Sequence, residues 1–249
     1  MHWPRNPFYL IVWNAAMKGE VTAYLNDSLT SIIVNNIGVK PLSFRSGRWG
    51  VNAKTLKMLA SRGYTVDSSV YPFYQNDFFS CLGAPETPYW PSFEDALSIG
   101  AQRSLMEIPI TAGFNVKNFS VANAIHNTLS KAPFTWFKSI GLLWHTGLLK
   151  KLYLSPELTG DKDMLSLAHT FMSRNSPVIH MYLHSSTLLD GVTGLMNVEN
   201  AFSVICERIA NVVNALRKVY NVRFCTISEA KLLLSNQPLQ SGPLTSKQD

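Results

Sequence analysis

The chain carries little that would staple it, insert it in a bilayer or draw it to a polyanion. It has three cysteines in 249 residues, Cys81, Cys206 and Cys225. None shares CxxC spacing, and an odd number excludes complete pairing within the chain. They read as buried thiols of a reducing compartment, which places the protein in the cytoplasm. The longest wholly apolar run near the start is FYLIVW, residues 8–13. It is too short for a bilayer span and weak as a signal-peptide core even with Arg5 ahead of it. Charge is sparse, at 15% of residues, and the net +6 comes from 22 basic and 16 acidic side chains. The basic residues are scattered rather than striped, which favours a solvated surface over a nucleic-acid partner. There is no GxSxG elbow and no HExxH, so Ser185 and Ser186 read as turn residues rather than nucleophiles. His126, His145 and His169 each stand alone, as surface or packing residues.

What remains is a 46% apolar chain without repeats or low-complexity tracts. That content sustains a sizeable core, and the alternation of strand-like and helix-like segments points to βα units around a largely parallel sheet. We expect one domain over residues 1–237 and a disordered tail over 238–249. The clearest unit is a strand at 41–44, the turn FRSGRWG (44–50), and a helix capped by Asn52 and ended by Gly63, with Val51 and Leu56 placed as a hydrophobic staple. A strand at 64–70 follows, then a proline- and aromatic-rich excursion over 71–93 that reads as a binding loop or lid. Further expectations are a strand at 105–110, mixed helical pieces over 119–152, a helix at 163–174 and an apolar strand at 177–183. A long helix over 198–220 should bury Val198, Phe202, Ile205, Ile209, Val212, Leu216 and Val219. A last strand at 222–227 and a short helix complete the chain.

His184 closes the strand VIHMYLH, so its imidazole should stand at the carboxyl end of a parallel strand, where α/β barrels keep their sites. A histidine there can serve as general acid or base. His180 lies on the same strand face but about 13 Å away by strand rise, so the two cannot share one metal ion directly. Asp67 ends its strand at the sheet edge that carries FRSGRWG. It either pairs with an arginine of that turn or forms an Asx turn with Ser69. Arg45 and Arg48 are either solvated or placed to hold a carboxylate. Glu107, a charge in the apolar run MEIPI, is an edge residue or a pocket group.

Taken in order, SFRSGRWGVNAKTLKMLASRGYTVDSSVYP, LMEIPITAGF, HMYLHSSTLLDG and FCTISEA resemble the polysaccharide deacetylases, in the branch whose turn reads Phe-Arg-x-Gly-Arg-Trp/Phe-Gly. The match runs from about residue 38 to 230. The resemblance implies a distorted (β/α) barrel and metal-dependent removal of an acetyl group from an N-acetylated sugar. It also implies a divalent cation such as zinc as cofactor and a carbohydrate as ligand. Carried over by position, Arg45 matches the arginine that steadies a catalytic aspartate, with Arg48 a second candidate. Asp67 falls where the segment that orients the arginine begins, and His184 matches the acid that protonates the leaving amine.

The chain departs from that family at its start. Its first 60 residues hold one aspartate, Asp27, in a helix-like stretch, and no Asp-Asp pair ending an apolar strand. The base and a metal ligand are therefore missing, and the barrel is expected to be incomplete at the N-terminus. His2, in MHWP, resembles a remnant of the family's His-x-His-Pro-Trp ligand segment. Either the chain is a fragment of a longer deacetylase or it is a diverged member without its metal. The diverged form would keep a sugar-sized cleft lined by Trp49, Tyr71, Tyr89 and Trp90 and bind glycans without hydrolysing them.

Overall fold

The computed structural model describes residues 19–47, 49–131, 139–174, 176 and 178–235. His2, Arg48, the run 8–13 and the tail 238–249 lie outside the described residues. No helix among those described is long and apolar enough to cross a membrane.

The βα unit around FRSGRWG forms as its caps dictate. Strand β1 (Ser43–Phe44) leads through the turn into a helix over Ala53–Ser61, α2 in chain order after α1 (Gly19–Ile37). The Asn52 side chain accepts the Thr55 amide at 2.9 Å, satisfying one of the free N–H groups that every helix start exposes. Leu56 and Leu59 are buried on the inner face with Val51 packed beside them, and Gly63 reverses the chain at φ +82°, where only glycine is unstrained. The chain returns as β2 (Val66–Asp67), parallel to β1, and β3 (Met106–Glu107) joins β2 in parallel, with Asp67 in register with Glu107. α1 is attached by polar contacts, an Asp27–Arg62 ion pair and a Thr30–Tyr64 hydroxyl contact at 2.6 Å.

A second, antiparallel pair joins β4 (Ala112–Phe114) to β5 (Lys151–Tyr153). It packs with α3 (Phe119–Leu129), α5 (Asp161–Ser173) and α6 (Ala201–Arg217) into the largest core, centred on Phe114, Phe119, Leu152, Leu167 and Phe171. A short helix α4 (Ser139–His145) lies between α3 and β5. Extended residues 178–182 link the two sheets. The Thr111 amide donates to His180 O (3.1 Å), Leu154 N–H to Thr111 O (2.9 Å), and Tyr182 N–H to Leu154 O (3.2 Å). These single bonds carry the wall from β3 to β5 without a regular ladder. The final helix, α7 (Ile227–Ser235), closes over the outer face of β2 and β3 by placing Ala230 and Leu234 on Val66, Met106 and Ile108.

Several sequence expectations need correction. Residues 222–226 form no strand; Arg223, Phe224, Cys225 and Thr226 are exposed. The long helix begins only at Ala201, and its buried face is Ala201, Ile205, Val212 and Leu216. Val198 and Val219, beyond the two ends of the helix, and Phe202, in its first turn, are exposed. Cys206 and Cys225 are exposed, and only Cys81 is a buried thiol.

Gly113 shows where the core has no slack. A Cβ there would stand 2.5 and 2.6 Å from ring atoms of the buried Phe119. Gly113→Ala should cost about 1 to 3 kcal/mol, the usual range for overpacking, read as a lower urea midpoint at unchanged slope.

Candidate active site

FRSGRWG is held by what its backbone and arginine reach. The Trp49 amide closes a turn on Ser46 O at 3.2 Å, and the residue that takes the left-handed conformation is Trp49 itself, φ 61°, rather than Gly47 or Gly50. That conformation costs a bulky residue about 1 to 2 kcal/mol. What it achieves is placement. The indole turns back over Tyr71 and Tyr182, each at 5.1 Å between ring centroids, and under the Arg45 guanidinium, also at 5.1 Å. Edge-to-face rings and a cation over the indole face recover part of the strain.

Arg45 points inward. Its Nε donates to Ser68 O (3.1 Å), and its Nη2 lies 3.2 Å from Ser68 Oγ and 2.7 Å from His180 Nε2. A guanidinium only donates, so His180 Nε2 must be the acceptor. Nδ1 therefore carries the ring proton and faces Pro109 O at 3.3 Å. Burial, with the Arg45 charge beside it, pulls the imidazole down to about 4, which keeps it neutral. Burial also lowers the arginine's own affinity for its proton, opposed by the fields of Glu107, Tyr182 and Asp67.

Asp67 is fully buried and its contact with the turn is indirect. Ser46 N–H donates to Ser69 Oγ (2.9 Å), which donates to Asp67 Oδ1 (2.6 Å). Glu107, its neighbour across the sheet, is buried too, and its Oε1 accepts the Val70 amide at 3.0 Å. Burial raises both carboxyls toward the protonated form, and the proximity of Asp67 raises Glu107 further.

His184 lies on the far side of Tyr182, ring centroids 6.4 Å apart. Its Nδ1 meets Glu157 Oε1 at 2.6 Å, and its backbone N–H donates to Glu157 Oε2 at 3.1 Å. The imidazole is 47% exposed over a carboxylate that is 0% exposed. The pair fixes the ring and commits Nδ1 inward, leaving Nε2 toward solvent. Glu157 sits in the turn after β5, tied by Thr159 N–H to Ser155 O (2.9 Å) and clamped by Arg208 of α6, which donates to Pro156 O at 2.7 Å.

Arg45 and Asp67 thus share one buried neighbourhood, and His184 stands beyond the Trp49 and Tyr182 rings. Trp49 is half-buried, while Tyr71, Tyr89 and Trp90 are buried. The Tyr71 and Tyr182 hydroxyls pair at 2.8 Å. Trp90 packs against Val66, Met106 and α7 on the other face of the sheet, away from Arg45. Glu157 escaped the sequence reading because SPELTG carries only turn chemistry. Glu107 and His180 were visible as polar residues in apolar runs, a signal that marks a buried polar contact without naming the partner.

The resemblance implies a divalent cation, so its fit to these donors matters. Among the described residues no three His, Cys, Asp or Glu side chains converge. His180 Nε2 is taken by Arg45, and Asp67 and Glu107 face one another beside that cation. The described residues do not fit a metal ion, and no chemical step below runs through one. Comparison with protein-family models, curated proteins and solved structures found no match to this chain.

The neutral His180 has a pH signature. An unfolded histidine titrates near about 6.5, and this one near about 4. Its contribution to stability is therefore present above about 6.5 and is lost as pH falls through about 4, worth on the order of 2 to 3 kcal/mol. Asp67 and Glu107, raised by burial, act with the opposite sign. Urea midpoints between pH 7 and pH 4.5 should fall less steeply in His180→Gln, which keeps an acceptor for Arg45 but cannot titrate.

Proposed function

We propose that the chain is a sugar-processing domain of the polysaccharide deacetylase type, an open (β/α) barrel whose Glu157 and His184 supply the proton-donating half of a site for an N-acetylated glycan. The observation that carries this reading is the Glu157–His184 pair, a half-exposed imidazole fixed over a buried carboxylate by two hydrogen bonds. An imidazolium so held can deliver its outward Nε2 proton to an amine leaving a collapsing tetrahedral centre. The carboxylate holds the ring in one orientation and keeps the neutral ring in one tautomer afterwards. The Tyr182 ring would line the site beside it, and zinc would need ligands beyond the described residues.

A second reading, a carbohydrate-binding protein on the same scaffold that does no hydrolysis, is favoured by one observation. Asp67 and Glu107, the buried acids nearest Arg45, lie side by side and closed off from solvent, so neither is placed to activate water.

Acetate release from N-acetylglucosamine oligomers by the full chain, with and without added zinc, separates the two. The first reading expects release that falls about 10²-fold or more in His184→Ala, in line with loss of a general acid, and by a smaller factor in Glu157→Gln. Release indifferent to His184→Ala overturns it. Absence of release with calorimetric glycan binding intact in that variant establishes the second.

A further inference from the structure

The Asp67–Glu107 pair presents an accounting problem that ionised carboxylates cannot solve. The two residues are in register on adjacent parallel strands, so their side chains leave the sheet on the same face, side by side. Both are buried, at 0% and 1% exposure. Each has one oxygen accounted for, Asp67 Oδ1 by the Ser69 hydroxyl and Glu107 Oε1 by the Val70 amide. The oxygens left over, Asp67 Oδ2 and Glu107 Oε2, are buried without another partner among the described residues. Two anions in that position would repel in a medium of low polarity. Two orphaned acceptors would add a desolvation cost each.

One proton removes both difficulties. We propose that Asp67 and Glu107 share a single proton, held on Glu107 Oε2 and donated to Asp67 Oδ2, and that the pair acts as one anion positioning Arg45 and the FRSGRWG turn. The assignment to Glu107 follows from the surroundings. Asp67 receives the Ser69 hydroxyl, which is in turn fixed by the Ser46 amide of the turn, so its charge is the better stabilised. Glu107 receives one neutral backbone amide.

The other groups facing the pair are few. Arg45 supplies the positive charge from the end of β1, and His180 lies behind it as a neutral acceptor. Tyr89, whose backbone pairs with Glu107, and the Cys81 thiol face the pair from the 71–93 loop, both held protonated by burial. α7 packs Ala230 and Leu234 on the opposite face; its Glu229 is bonded to Thr226 and its Lys231 lies over Trp90.

The role given to Arg45 here rests on the proposed function, but the proton does not. Infrared spectra of the unliganded chain at pH 7.5 report it directly. The expected result is a protonated-carboxyl carbonyl band in the wild type that is absent in Glu107→Gln. Glu107→Gln, which copies the protonated acid without needing proton uptake on folding, should match or exceed the wild-type urea midpoint at pH 7.5, whereas Glu107→Ala lowers it. Because the folded pair keeps a proton that the unfolded chain releases, the wild-type midpoint should fall relative to that of Glu107→Gln as pH rises from about 4.3, the unfolded glutamate value. A wild type without the band, or the same band persisting in Glu107→Gln, overturns the proposal. Because no glycan is present, failure of acetate release or of glycan binding leaves this readout untouched.

Discussion

Three distant stretches of chain converge on Arg45: the turn after β1, Ser68 at the end of β2, and His180 on the extended segment between the two sheets. A guanidinium taken from water needs nearly every donor matched, or its desolvation outweighs what it holds together. Its direct partners here are neutral: a carbonyl, a hydroxyl and an imidazole. The compensating charge sits one layer away in Asp67 and Glu107, so it attracts the cation without competing for its hydrogen bonds. This arrangement explains why His180 must stay neutral. A protonated ring would turn an acceptor into a second cation facing the first.

The same constraint gives Trp49 its strained backbone. An arginine drawn inward leaves an apolar wall to be completed above it, and a left-handed Trp49 folds the indole down onto Tyr71 and Tyr182 to do so. Tyr71, Tyr89 and Trp90 of the 71–93 excursion then behave as core, while Phe78 is exposed. Tyr71 stacks on Tyr74 at 4.8 Å and joins its hydroxyl to Tyr182, and Tyr89 donates to Ala96 O at 2.7 Å. A long loop rich in tyrosine reads as a lid when its polar tips reach solvent. Here the Tyr71 and Tyr89 hydroxyls find partners inside, and those parts of the loop line the sheet.

The legible part of this fold was local. Asn52, Gly63 and the Leu56/Leu59 spacing fix the β1–α2–β2 unit because caps and turn residues act over a few positions. The long helix was legible in existence but not in extent. Its apolar stripe continues past both ends in Val198 and Val219, and no rule of periodicity reveals that α5 stops short of them. The expected strand at 222–227 failed for a related reason. Alternation suits residues 222–227 to a strand, but among the described residues no strand pairs with them, and β propensity has little meaning without a partner. At the site, the polar residues buried in apolar runs, Asp67, Glu107 and His180, announced that something would have to satisfy them. Glu157 announced nothing, because a glutamate in a Ser-Pro turn is ordinary until a histidine is brought to it.

His180 and His184 show how far residue type underdetermines role. They stand four positions apart on one extended segment and differ in what the fold puts against them. His180 is turned into the wall against a guanidinium, so its ring is useful only as a neutral acceptor. His184 has passed the last ring of the aromatic layer and meets a buried carboxylate, so its ring is held for a proton at Nδ1 with the opposite nitrogen toward solvent. An arginine and a glutamate contributed by remote turns separate a structural imidazole from one arranged for proton transfer. Between them in the chain stands Tyr182, whose hydroxyl is tied to Tyr71 and whose ring contacts both Trp49 and His184. Two histidines on one extended segment thus hold opposite partners.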